Sequence, residues 1–173
     1  MAMAQTKYKN RKAEISFFSS TPLEDINAIS NNVKYIVDFE NNKVAFLVPI
    51  RSFDFPQKRM QEHFNDTYLE SGIYPNATFK GLFQDKIDFS KPRQYVRIKG
   101  VFNIHGKEKT IELKALVLQL DGRLKFEAKF MIVPSDFGIE IPQILALKIA
   151  ESIEIKVKFE MIDTKTDQVE LGV

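Results

Sequence analysis

The sequence predicts an all-β domain: an up-and-down antiparallel barrel of roughly eight strands, interrupted once by a short helical crossover near 56–65. Three observations carry this. Apolar residues recur at every second position through most of the chain, which places them on one face of each strand. Short turn signals separate the strands: Asn41-Asn42, His105-Gly106 and Asp121-Gly122. Turns of this kind join antiparallel neighbours, Asp-Gly most strongly. Finally, the alternation fails in one stretch, FDFPQKRMQEHFN, where a helical spacing replaces it. A two-sheet sandwich is the alternative arrangement of the same strands.

Taken in order, KAEISFF sets Ala13, Ile15 and Phe17 against Lys12, Glu14 and Ser16. VKYIVDF groups Val33, Tyr35, Val37 and Phe39. KVAFLVPI (43–50) is apolar on both faces for part of its length, and Pro49 predicts an edge position or a bulge. NATFKGLF is led by Ala77, Phe79, Gly81 and Phe83. VRIKGVFNI gathers Val96, Ile98, Gly100, Phe102 and Ile104. TIELKALVLQL (110–120) has two registers, Leu113, Ala115 and Val117 or Leu116 and Leu118. KFEAKFMIV gathers Phe126, Ala128, Phe130 and Ile132, and SIEIKVKFEM gathers Ile153, Ile155, Val157, Phe159 and Met161. The expected domain is 12–162, with leader residues 1–11 and a polar tail 163–173.

A chain of 173 residues suits one domain and can bury a core without a disulfide or metal. Its 25 basic and 23 acidic residues are interspersed and sum to +2. No basic block marks a nucleic-acid partner. The absence of cysteine removes thiol chemistry and Cys-ligated zinc. No apolar run approaches the roughly 20 residues of a membrane-spanning helix. The start MAMAQTKYKNRK lacks the apolar core of a secretory signal. It reads instead as the residues following a cleavage site, with Gln5 as a mature residue. The unusual count is 15 Phe beside 5 Tyr and no Trp.

The crossover carries the residues that look chemical. His63 lies among Glu62, Asp66 and Glu70. A catalytic metal needs about three ligands in tight geometry, and Glu62 points away from its neighbour on a helix. The reading favoured here is scaffold: His63 packs within the crossover. Met60 and Phe64 share one helix face, Pro56 suits the first turn, Asp54 is a cap candidate and Asn65 a terminator. His105 reads as a turn residue whose ring bonds a neighbouring loop. No nucleophile elbow, phosphate loop or dinucleotide fingerprint occurs.

The order MQEHFN, YL, YPNATFKG, VFNIHGKEK and DFGIEIP resembles the YceI-like family over roughly residues 12–162. The pair formed by Tyr74–Gly81 and Gly100–Lys109 makes the likeness specific. It implies an exported, lipocalin-like barrel whose apolar channel holds a polyisoprenoid, such as a quinone tail or prenyl phosphate. It further implies a homodimer and a periplasmic or secreted location. Together with the residues themselves, the expectation is no nucleic-acid partner, no cofactor and no catalysis.

The candidate lumen lining is Ile15, Phe17, Phe46, Val48, Phe79, Ile98, Phe102, Phe130, Ile155, Val157 and Phe159. An isoprenoid needs only a dry apolar tunnel, worth roughly 0.8 kcal/mol per buried CH₂-sized unit. Arg51, Lys58 and Arg59 are candidate head-group contacts at the mouth. Two rival readings stay open. In one, the same Phe residues plug the barrel, and strands 43–50 and 110–120 form a subunit interface. In the other, His63 serves an enzyme with Glu62 or Asp66.

Overall fold

A computed structural model of the chain describes residues 12–145 and 147–162; the expected leader and tail lie outside the described residues. The strands are β1 (Lys12–Ser20), β2 (Asp25–Ser30), β3 (Lys34–Asp38), β4 (Lys43–Pro49), β5 (Asn76–Phe83), β6 (Arg93–Ile104), β7 (Lys107–Leu120), β8 (Arg123–Ile132) and β9 (Ile153–Ile162). One short helix, α1 (Lys58–His63), lies between β4 and β5. All strands belong to one antiparallel sheet ordered β2-β1-β9-β8-β7-β6-β5-β4-β3. The up-and-down meander is therefore as expected, and the sheet curls until β9 joins β1.

Two details differ from expectation. The sheet has nine strands, because DINAIS forms β2. Its inward residues are Ile26, Ala28 and Ser30, too small and polar a set to stand out as alternation. Ser30 is wholly buried, and its hydroxyl is satisfied by that of Ser52 at 2.6 Å. The sheet order also ends on β2 and β3 instead of closing between them. At that seam, the backbone of Ile29 in β2 exchanges two hydrogen bonds with Asp54, at 3.1 and 2.8 Å.

Pro49 marks an edge only locally. β4 lies between β3 and β5, but its pairing with β3 runs only from Lys43 to Leu47. Pro49 is past that ladder, so its missing N–H leaves no gap. In β7, Leu113, Ala115 and Val117 point inward and are buried, which selects the first of the two registers. Leu116 and Leu118 are half-exposed outside.

The crossover starts later and runs longer than its sequence suggests. Asp54 does not cap it, since its backbone is held extended against β2. Gln57 precedes the helix with no side-chain cap, and α1 continues into a π-helical turn, Phe64–Tyr68. Pro56 thus falls in the bend before α1.

Turn chemistry fits the register. His105 and Gly106 both have positive φ, 56° and 72°, as do Asp121 and Gly122, 51° and 74°. Two consecutive left-handed residues match the twist of a tight hairpin. Gly106 has a second reason to be glycine: a Cβ there would lie 2.5 Å from the Tyr74 ring.

Candidate functional site

The inward faces of the strands enclose an interior that changes character along its length. At the end covered by the crossover lies a cavity of about 110 Å³. Its floor and walls come from β1, β4, β6 and β9, including Ile15, Phe17, Phe46, Val48, Phe102 and Ile155. Its cover comes from the crossover, through Met60, Phe64, Tyr68 and Leu69, and from the connection before β9, through Ile139, Ile141 and Ile149. Among the described lining residues, Ser19 and Tyr68 alone bring side-chain polar atoms. The Ser19 hydroxyl is already engaged, accepting a 2.9 Å bond from the Ala150 N–H. Burial pushes the Tyr68 phenol pKa up.

Deeper in, a smaller void of about 30 Å³ lies among Phe46, Phe79, Ile98, Phe130, Val157 and Phe159, with Val44, Leu113, Ala115, Phe126 and Ala128. The eleven residues singled out from the sequence thus border one void or the other. Stepping inward along β4, Val48 borders the upper cavity, Phe46 borders both and Val44 borders the lower one. Along β9 the sequence is Ile155, then Val157 and Phe159.

The far end is filled. Tyr35 stacks on Phe159 with centroids 4.1 Å apart, and Phe39 packs against Phe83, Phe89 and Phe126 at 5.2–6.1 Å. So the interior is plugged below and hollow above. Among the described residues, neither a fully filled barrel nor a through-tunnel describes it.

The crossover is pinned to this interior by aromatic contacts. Phe64 stacks on Phe17 at 5.2 Å and meets Phe53 and Phe55 at 5.9 and 4.8 Å. Met60 lines the cavity beside it, as the four-residue spacing predicts. The opposite face of α1 is solvent-facing: Lys58, Arg59, Glu62 and His63 are exposed. His63 does not pack inside the crossover as expected; its ring lies outside, 6.5 Å from that of Tyr68. Asp66 is directed to Arg51, at 3.9 Å. Among the described residues no group of three His, Cys, Asp or Glu side chains assembles as metal ligands would.

The histidine built into the architecture is His105. Its Nε2 is 2.7 Å from Glu70 Oε2 and its Nδ1 is 3.0 Å from the Phe137 carbonyl. The ring packs edge-on to Tyr74 at 4.7 Å. One side chain therefore ties the end of the crossover to the β6–β7 hairpin and to the turn after β8. Sequence reasoning placed Glu70 with His63. Its positive φ of 47° turns the chain and aims it at His105, which no spacing reveals. Sequence reasoning also passed over Phe53, Phe55, Ile139 and Ile141 as lining. Their signal was visible as apolar residues in segments with too little regular structure to bury them locally.

The candidate head-group residues sit outside the cavity. Arg51 donates from Nε to the Ser71 hydroxyl at 3.0 Å and is mostly exposed. Lys58 and Arg59 project from the outer face of α1.

Comparison with known proteins agrees with this architecture. A polyisoprenoid-binding domain from Saccharophagus degradans, implicated in plant cell wall breakdown, superposes with a TM-score of 0.77 at 13% identity, covering 92% of this chain and 99% of that one. Burkholderia cenocepacia BcnA gives 0.74 at 18% identity, over 86% and 95%. The Campylobacter jejuni YCEI protein gives 0.66 at 19% identity, over 79% and 84%. Among curated protein sequences none matches significantly. The family model for the YceI-like domain matches residues 7–161, and with nearly the whole chain inside that match, the protein belongs to the YceI-like domain family.

Proposed function

We propose that this protein binds an apolar lipid in the upper part of its lumen and carries or sequesters it without covalent chemistry. The observation behind this reading is the cavity itself: a void among Ile, Phe, Val and Met side chains, covered by two segments that are not part of the sheet. An empty apolar void forfeits dispersion contacts along its lining, so a fold that maintains one gains by filling it. Isoprenoid chains suit such a site, having no directional groups to satisfy. The similarity to a domain described as polyisoprenoid binding supports the same ligand class.

The finer parts of the proposal are a quinone tail or prenyl phosphate as the ligand, held with its head outward. Arg51, Lys58 and Arg59 stand on the crossover whose inner face covers the cavity, and a phosphate emerging there meets their charge. The family likeness supports a periplasmic or secreted setting. No described helix is long and apolar enough to cross a membrane, a fact that bears on helices alone. Homodimerisation completes the reading, with exposed Ile36, Leu82 and Val101 available on the outer sheet face.

Native mass spectrometry of gently purified protein, followed by organic extraction, tests the core claim. A discrete adduct that extracts as a prenyl lipid is expected. A clean unliganded mass that stays clean after incubation with prenyl quinones and prenyl phosphates overturns it.

A further inference from the structure

Phe46 borders both voids, and no other described residue does. Its position follows from the register. Tyr35, Phe46, Phe79 and Phe102 lie opposite one another on β3, β4, β5 and β6, so four inward rings form one rung across the lumen. Within that rung the rings differ in freedom. Phe79 is almost fully buried and lies over Gly81 and Gly100, where an added Cβ would come within 2.7 Å of its ring. Tyr35 is held by its stack on Phe159 and by a hydrogen bond to Glu160. Phe102 is wedged between Phe130 and Phe137 at 5.5 and 5.6 Å. Phe46 stacks on Phe79 at 5.4 Å and meets Phe159 edge-on at 6.0 Å, but it alone has empty space both above and below.

We propose that the Phe46 ring is the partition that sets how long an apolar chain the lumen accepts. This rests on the lipid-binding reading above and adds a length limit to it. The magnitudes favour a short reach. An apolar cavity of about 150 Å³ takes one benzene, and the upper void is about 110 Å³. It holds roughly the terminal unit of an isoprenoid, the remainder lying toward the mouth. Going deeper requires the ring to swing aside and join the 30 Å³ void, beyond which the Tyr35 and Phe39 clusters close the path.

The test is a ladder of free isoprenoid alcohols, prenol, geraniol, farnesol and geranylgeraniol, competed against a fluorescent lumen dye. It is run on the wild-type protein and on Phe46→Ala, Phe46→Leu and Phe46→Trp, with circular dichroism confirming the fold of each. In the wild type, affinity is expected to climb with each isoprene unit and then stop climbing. In Phe46→Ala or Phe46→Leu that break shifts to a longer alcohol, with the first chain past the wild-type break gaining on the order of tenfold. In Phe46→Trp it shifts to a shorter one. A break at the same alcohol in the folded variants overturns the partition while leaving lipid binding standing. A wild-type protein that binds none of the alcohols overturns the lipid-binding reading and the partition together.

Discussion

The Tyr35 hydroxyl donates a 2.9 Å hydrogen bond to the carbonyl of Glu160, 125 residues away in sequence. β3 is one edge of the sheet and β9 is the third strand from the other edge, so the bond spans the interior of the curl. The Tyr35 ring lies nearly parallel to that of Phe159, 3° from coplanar. One side chain thus contributes both a stack and a polar tie across the filled end of the lumen. Tyr35→Phe keeps the stack and removes the tie. It is expected to lower unfolding free energy by about 1 kcal/mol, measured by urea denaturation, with no change in lipid uptake.

His105 and Glu70 form the corresponding tie at the hollow end, at 2.7 Å. His105 is mostly buried and Glu70 only half so. Removing the imidazole leaves the Phe137 carbonyl and the Glu70 carboxylate without their partner. His105→Ala should therefore cost about 1–3 kcal/mol, and Glu70→Gln less, because its amide can still face the ring. Hydrogen exchange is expected to show faster opening of 64–74 in both variants. Unchanged exchange in His105→Ala removes the tie from the account.

Two glycines make sharp backbone predictions. Gly106→Ala places a Cβ on a left-handed residue, at about 1–2 kcal/mol, and drives it into the Tyr74 ring beside His105. Gly100→Ala is expected to be worse despite ordinary strand geometry. Its Cβ would sit 2.6 Å from the Gly81 Cα and against the Lys80 carbonyl, so β5 and β6 could not keep their spacing. Thermal denaturation should rank wild type above Gly106→Ala and Gly106→Ala above Gly100→Ala.

Asp85 links the end of β5 to β6. It accepts from the Arg97 guanidinium at 2.7 and 3.0 Å and from the Arg97 backbone N–H at 2.8 Å. These bonds, the guanidinium's first, hold its carboxyl down at about 2. A folded-state value below the unfolded one, near 3.9, means the link stabilises the protein above that unfolded value. The contribution is lost as pH falls through about 2. Carboxyl NMR titration should find Asp85 titrating at about 2, and Arg97→Gln should return it toward the ordinary range.

Phe130→Arg tests the lumen directly. Phe130 is partly buried, packs on Phe102 at 5.5 Å and borders the lower void. A guanidinium there either fills the void or draws water into it. Because Phe130 backs Phe102, a wall of the upper cavity, lipid uptake measured by native mass spectrometry is expected to fall severalfold, while far-ultraviolet circular dichroism changes little. Equal uptake by the variant removes Phe130 from the lumen lining on which binding depends.

What the sequence determined by itself is the set of faces. Strict alternation in β6 and β9 needs no partner to declare its inward side, because a pleated strand sends successive side chains opposite ways. Two-residue turns such as Asp121-Gly122 likewise carry their backbone conformation in their own chemistry. Nine of the eleven lumen candidates came from that logic; Phe46 and Val48 lie in a strand that reads as apolar on both faces. Tertiary structure decided what local chemistry cannot encode. β2 is a strand because β1 pairs with it along its whole length, and Ser52, distant in sequence, satisfies its buried Ser30. Asp54 fails as a cap because β2 takes its backbone. Glu70 belongs to His105 because two turns bring them together. The depth of each ring, and hence the place of Phe46 between two voids, was set by strand register around the curl. Register depends on pairings among all the strands at once, so no single segment of the sequence contains it.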